Sequence, residues 1–308
     1  MDIYQQSLDF FLSLPVVADW PDMQNLYRRA AARRPAHWRL PLRACQAVGG
    51  SLERAVPVMT AVACAHIGIL LVDDMLDSDP RGVHHHLGMP IVSDLACAFQ
   101  SAALSALERV VADPMMRGEA AFRFNTMFLS TAWGQFLDVN SPSAEEDYWQ
   151  VARTKSSPFF GASLYLGALA GGASLQMACG VDQLGCLYGE TIQVYDDLHD
   201  AMETPPNPDW LQGRRSLPIL FAALVRHPHQ ARFLELLNQV EVPGALQEAQ
   251  EILIRCGSVS YCVNHILTRN RNAQEILAGL SLADHEPLTT LMESVTTPVQ
   301  TLLVNCQS

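Results

Sequence analysis

Six carboxylates in two matching patterns carry the chemistry open to this sequence. Residues 73–77 read Asp-Asp-Met-Leu-Asp and residues 196–200 read Asp-Asp-Leu-His-Asp. On a helix, Asp73 and Asp77 stand at i and i+4, so their side chains leave one face about one turn apart; Asp196 and Asp200 repeat that geometry. Charges so close repel unless a cation lies between them. Hard carboxylate oxygens, with coordination positions left for water and phosphate, suit Mg²⁺, which is commonly held by one or two carboxylates plus substrate phosphates. Two such faces opposed across a helical bundle would grip one diphosphate through several metal ions. Isolated acidic clusters are usually solvated helix faces. Here both motifs follow apolar runs, residues 68–72 (GILLV) and 191–194 (TIQV), which a solvated face does not need. Chance placement of Asp at its overall frequency gives about 0.06 such triplets in a chain of this size.

Helices must carry these motifs. Hydrophobic residues make up 49% of the 308 and charged residues only 17%, a balance that favours helices buried on most sides. Breaker-rich segments at 34–41, 78–90, 139–147, 203–213 and 241–244 separate long stretches with helical spacing. Ala- and Leu-rich segments at 95–111 and 162–178 and amphipathic ones at 249–256 and 272–280 read as helices. Neither an Asn-Gly or Asp-Gly hairpin nor sustained strand alternation occurs. The expectation is an all-α chain with no internal linker, one domain over 1–308.

A formal charge of -12 argues against nucleic acid, whose phosphate backbone demands clustered Lys and Arg. The eight cysteines are scattered singly, with no CxxC pair, so neither a zinc site nor a disulfide framework is indicated, and they read as small core residues in a reducing cytoplasm. Residues 55–72 are apolar enough to raise the membrane question. Pro57, Thr60 and His66 interrupt that stretch and it runs into Asp73 and Asp74, so a central helix of a soluble bundle is expected rather than a transmembrane segment.

The motifs and their surroundings resemble the trans-isoprenyl diphosphate synthases of the class I isoprenoid synthase superfamily. That family's first motif lies in H-x-x-x-x-x-x-D-D-x-x-D, matched by His66 through Asp77. Its second follows G-x-x-x-Q, matched by Gly189 and Gln193. GQFLD at 134–138, the Lys155-Ser156 pair and DWLQGRRSLP at 209–218 match in the family's order. Lys155 also stands out by composition, as the only Lys among 20 basic residues, which marks a place where a compact ammonium is wanted on a phosphate.

The resemblance implies a single large helical bundle of the isoprenoid synthase type with a central apolar cavity, and a homodimer. It implies that Mg²⁺ draws diphosphate from an allylic substrate and that the cation alkylates isopentenyl diphosphate. Asp73, Asp74, Asp77, Asp196, Asp197 and Asp200 would bind metal, with Lys155 and Gln193 also catalytic. Arg34, Arg39, His66, Gly68, Ile69, His86, Gln135, Ser156 and Arg214 would meet substrate. Gly68 and Ile69, five and four residues before the first motif, would line the tunnel for the growing chain; with no aromatic at Gly68, products of geranylgeranyl length or longer are expected.

The sequence also departs from the family. Its Gly-Lys-Arg motif is replaced by RRPAHWRLP, where a gapless count puts Arg34 opposite the Lys. Its Arg-Arg-Gly-x-Pro becomes His86-Leu87-Gly88-Met89-Pro90. These losses leave open a terpene cyclase, a transferase to another acceptor, or a non-catalytic partner subunit.

Overall fold

The structure, a computed structural model, describes residues 2–109, 114–139 and 143–305. Regular structure among them is helical, with no strand. In chain order the helices are α1 (Ile3–Leu12), α2 (Pro21–Ala32), α3 (Leu40–Ala47), α4 (Leu52–Leu76), α5 (His84–Leu87), α6 (Met89–Leu107), α7 (Pro114–Val139) and α8 (Glu145–Val151). They continue with α9 (Ser157–Gly171), α10 (Leu175–Met202), α11 (Pro208–Gln212), α12 (Leu217–Leu224), α13 (Gln230–Leu236), α14 (Ala245–Arg255), α15 (Ser258–Gly279) and α16 (Glu286–Asn305). Many begin on proline signals: among others, Pro21, Pro41, Pro90, Pro208 and Pro218 occupy the first turn of α2, α3, α6, α11 and α12. There the missing N–H has no intrahelical partner to lose and φ is already helical.

The segment expected as one helix over 162–178 is two. Its Ala and Leu content hides a stop at Gly171-Gly172-Ala173-Ser174, where Gly172 turns to φ +99° and the Ser174 hydroxyl accepts the Met177 N–H at 3.2 Å to start α10. Of the segment 95–111, α6 takes the part up to Leu107; Val110 and Val111 lie outside the described residues, as do 140–142 and Cys306. Cys45, Cys64 and Cys262 are buried as expected, whereas Cys97 and Cys179 are exposed. Their helices turn those positions outward, which composition alone does not reveal.

The chain divides into two compact units. The first gathers Met1–Ala132, Pro158–Cys186 and Ile276–Leu291; the second gathers Trp133–Ser157, Leu187–Glu275 and Met292–Ser308. In the first, α4 packs against α1, α3 and α6. A buried hydroxyl chain joins three helices: Ser7 lies 2.6 Å from Tyr27 and 3.0 Å from Thr60. The Phe11 ring stacks between Tyr27 and Phe99, at 4.1 and 5.9 Å. α4 and α6 are each long and apolar enough to cross a bilayer by length and composition, and 67% of the α4 window is buried inside the protein.

In the second unit, Tyr148, Trp149, Val194, Leu217, Leu220, Cys262 and Ile266 form a core beneath α10. A second cluster centres on Trp210 and Phe233. Trp210 is 2% exposed and its indole N–H donates to the Ala201 carbonyl at 3.1 Å, which ties α11 to the end of α10. Truncating such an aromatic costs about 3–5 kcal/mol.

Candidate active site

A cleft in the second unit is walled by one face of α10, by the segment from α8 into α9 and by the loop before α12. Gln193, Asp196, Asp197 and Asp200, at i, i+3, i+4 and i+7, all line it, together with Lys155 and Asp138. Lys155 sits on a π-helical turn, Ala152–Ser156, between α8 and α9; one extra residue per turn re-aims a side chain, a device common at functional sites. Its ammonium donates to Asp138 Oδ2 at 2.6 Å. Ser156 next to it donates to Gln193 Oε1 at 2.6 Å, and Gln193 Nε2 donates to Asp197 Oδ1 at 2.8 Å. The expected Lys155, Ser156 and Gln193 are thus brought together with the second acidic motif.

Asp197 stands apart from the other members of the expected ligand set. It is 5% exposed; Oδ1 is occupied by Gln193 and Oδ2 accepts the Leu217 backbone N–H at 2.9 Å. The Tyr148 hydroxyl lies beside it without a bond of good geometry. Burial pushes its carboxyl up to about 7. Its role is to pin the loop before α12, which carries Arg214, Arg215 and Ser216 into the cleft. That loop turns at Gly213, φ +70°, and the Arg214 N–H donates to the Asp209 carbonyl at 2.8 Å.

Asp196 and Asp200 remain directed into the cleft. Solvent reaches Asp196, and solvent access tempers its shift, yet the protein bulk around it and the Asp200 charge push its carboxyl up to about 6. Burial likewise raises Asp200. Both stand near the C-terminal end of α10, where the helix dipole is itself negative. The first motif repeats this placement: Asp73 and Asp74 fall in the last turn of α4 and Asp77 is its C-cap, and Asp74 is raised by burial and by Asp79 and Asp73. Carboxylates raised by one another and set against a helix dipole fit a divalent cation. Among the described residues no three carboxylate, imidazole or thiol groups close a metal site, so a bound ion must complete its shell with water or ligand oxygens. The Ser216 hydroxyl, buried in the cleft with no partner, adds a polar atom of the kind a phosphate oxygen satisfies.

The expected substrate residues of the first unit are distributed differently. Arg34 is turned away: its guanidinium donates to both Asp2 oxygens at 2.9 and 2.8 Å and lies over the Tyr4 ring at 4.8 Å. Arg39 and His86 are exposed. His66 is met instead by Trp38 and His37. The turn at Ala36–Arg39 brings Trp38 rather than Arg34 to His66. Gly68 faces α6, where an added Cβ would meet the Ala96 carbonyl oxygen at 3.3 Å and Phe99 Cβ at 3.5 Å; close helix packing replaces the tunnel role expected of it. Ile69 is partly buried on the next position, and Gln135 is buried on α7 and does not line the cleft. Asp138, Tyr148, Asp209, Arg215 and Ser216 were missed. Four of them lie inside the motifs at 134–138 and 209–218; Tyr148 left no signal.

The polyprenyl synthetase family profile matches residues 24–253. The chain belongs to this family. This polyprenyl synthetase is accordingly a prenyltransferase of trans-prenyl chain elongation. It is 27% identical over 251 residues to the geranylgeranyl diphosphate synthase of Methanosarcina mazei, covering 76% of each chain. Its fold matches the geranylgeranyl pyrophosphate synthetase of Pyrococcus horikoshii with a TM-score of 0.80 at 20% identity, covering 96% of this chain and 94% of that one. A polyprenyl synthase from Caulobacter crescentus, solved with calcium and isoprenyl diphosphate, aligns with a TM-score of 0.79 at 19% identity, over 96% and 93%.

Proposed function

We propose that this polyprenyl synthetase ionises an allylic diphosphate with Mg²⁺ and joins its prenyl chain to isopentenyl diphosphate, giving a linear product of geranylgeranyl length or longer. The cleft that sets Lys155, Arg214 and Arg215 against Asp196 and Asp200 carries this reading. Magnesium, when bound, supplies charge stabilisation for the departing diphosphate. Asp73, Asp74 and Asp77 on α4, and Asp196 and Asp200 on α10, would hold it. Lys155, fixed by Asp138, presents a compact charge to the allylic diphosphate, and Gln193, oriented by Ser156, lines the same wall. The product length is supported by the name of the Methanosarcina relative rather than by Gly68.

The decisive test incubates the protein with Mg²⁺, labelled isopentenyl diphosphate and a series of allylic diphosphates. Elongated diphosphates are expected. Asp73→Ala and Asp196→Ala should each lower turnover by orders of magnitude with the fold intact, and chelation should abolish it. The Arg34–Asp2 pair favours one second reading, a different acceptor. Label left unincorporated while allylic substrate disappears would establish it in place of elongation.

We also propose a cytoplasmic homodimer of single-domain chains. α7, α10, α15 and α16 each contribute residues to both units, which supports one domain over 1–308. α7 exposes Met115, Phe122, Leu129 and Phe136 at seven-residue intervals, an apolar stripe suited to a second copy. Sedimentation should find twice the 33.9 kDa chain mass; a monomer at micromolar concentration would remove the dimer.

A further inference from the structure

Three residues of α15 form a polar face against the segment that carries Lys155. Tyr261, His265 and Arg269 recur every four residues, so they line one side of the helix. The Tyr261 hydroxyl donates to Glu145 at the start of α8, and the same carboxylate oxygen accepts the Trp149 indole N–H at 2.9 Å. The His265 ring lies 4.9 Å from that of Trp149. Arg269 joins more elements than either. Its guanidinium stacks over Trp149 at 3.9 Å, Nε donates to Glu190 Oε2 on α10 at 2.8 Å, and Nη1 donates to His265 Nδ1 at 3.0 Å. A ring stack with two directed bonds holds a planar guanidinium in place, which a lysine ammonium could not reproduce.

The side chains of Arg269 and Glu190 are only 11% and 14% exposed. An ion pair so far from solvent recovers little of its desolvation cost, and an apolar pair of similar volume is often at least as stable. Net stability therefore does not account for it, whereas position does. Trp149 stands six residues before Lys155, on the helix that runs into the π-helical turn. Glu190 stands three residues before Gln193 on α10, and its other carboxylate oxygen lies 3.9 Å from Arg153 on that same turn. A π-helical turn is rare and short, so its place depends on what packs against it. Arg269, Glu190 and Trp149 do not themselves line the cleft; they connect two of its walls.

We infer that Arg269 is a positioning residue: by clasping Trp149 and Glu190 together it sets the Lys155 turn against the carboxylates of α10 and keeps the ammonium in register with the diphosphate between them. This rests on the proposed ionisation of an allylic diphosphate.

The test uses the full chain, with Arg269→Gln made in the wild-type and in the Lys155→Ala background. In the first, kcat/KM for the allylic diphosphate should fall about 10-fold to 100-fold, with the KM for isopentenyl diphosphate changed less than twofold. In the second, the same substitution should cost less than threefold, because no ammonium is left to misplace. A residue that only supported the fold would cost the same in both. Lys155 is the only lysine, so labelling with [ε-¹³C]lysine gives one side-chain signal, which should move in Arg269→Gln as the ammonium leaves its 2.6 Å contact with Asp138. Equal losses in the two backgrounds, an allylic kcat/KM within threefold of wild type, or an unmoved Lys155 signal would each overturn the inference. Arg269→Gln leaves Glu190 without its cation, which endangers folding; should it fail to fold, Arg269→Met combined with Glu190→Leu removes both charges and decides by the same comparisons. Should the wild type turn over no allylic diphosphate, the proposed function fails, and the Lys155 signal still decides whether Arg269 holds that ammonium in place.

Discussion

Gly134 should be the position in α7 least tolerant of a single methyl group. It faces the π-helical turn that carries Lys155, and an added Cβ would meet the Lys155 Cα at 2.5 Å and the Thr154 carbonyl carbon at 2.6 Å, with the Lys155 amide nitrogen also in the way. Ordinary contact begins at 3.4 Å, so this backbone must retreat by roughly 1 Å, and backbone cannot rotate aside as a side-chain tip does. Lys155 would be carried off its 2.6 Å partner Asp138. A misplacement of about 1 Å in a positioning group costs on the order of 100-fold, about 2.7 kcal/mol of transition-state stabilisation. Overpacking should also cost about 1–3 kcal/mol of stability, against a helix-propensity gain of only about 0.5–1 kcal/mol for Gly→Ala. Gly118→Ala is the control on the same helix, since nothing lies within 4 Å of its Cβ; it should be stabilising by that propensity gain. Steady-state kcat/KM with the allylic substrate that turns over fastest, and urea denaturation of both variants, make the measurement. A Gly134→Ala enzyme with kcat/KM within threefold of wild type would refute the reasoning.

Three further outcomes follow from the same geometry. Burial pushes the Asp197 carboxyl up to about 7 in the folded state, against the usual 3.8, so the fold binds more protons than the unfolded chain between about pH 4 and 7. Wild-type stability should therefore fall by up to about 4 kcal/mol as pH rises through that window. Asp197→Asn, compared by urea denaturation at pH 5 and pH 8 in chelator, should flatten the dependence; parallel profiles would remove Asp197 as its source. Gly68→Ala must push the Ala96 carbonyl oxygen, part of the α6 backbone, back by a few tenths of an ångström, so its thermal midpoint should fall while its product distribution stays the same; shortened products would return Gly68 to the tunnel wall. Arg34→Ala loses an exposed ion pair with Asp2, worth about 1 kcal/mol or less, and its contact over the Tyr4 ring, and should change the KM for isopentenyl diphosphate less than threefold; a tenfold rise would put Arg34 back at the acceptor.

The sequence by itself determined the class of the fold and the family, and it singled out the acidic groups proposed to react. Proline at first turns, glycine at stops and apolar runs of helical length are local signals, and local hydrogen bonding decides a helix. Repeated Asp-Asp-x-x-Asp is legible because i, i+4 carboxylates share a face whatever surrounds them. Tertiary structure decided which of those carboxylates are available. Asp196 and Asp197 are neighbours in sequence and alike in composition, but a step of 100° around α10 leaves one open to solvent in the cleft and buries the other in its wall, on the Leu217 amide. The same holds for the bases. Spacing chose Arg34, yet the chain's turn at Ala36–Arg39 delivers Trp38 to His66 and leaves Arg34 on Asp2. Gly68 likewise looked like space beside a growing chain until α6 was found against it. Which face of a helix a residue occupies follows from its number; what that face meets is a property of the other helices.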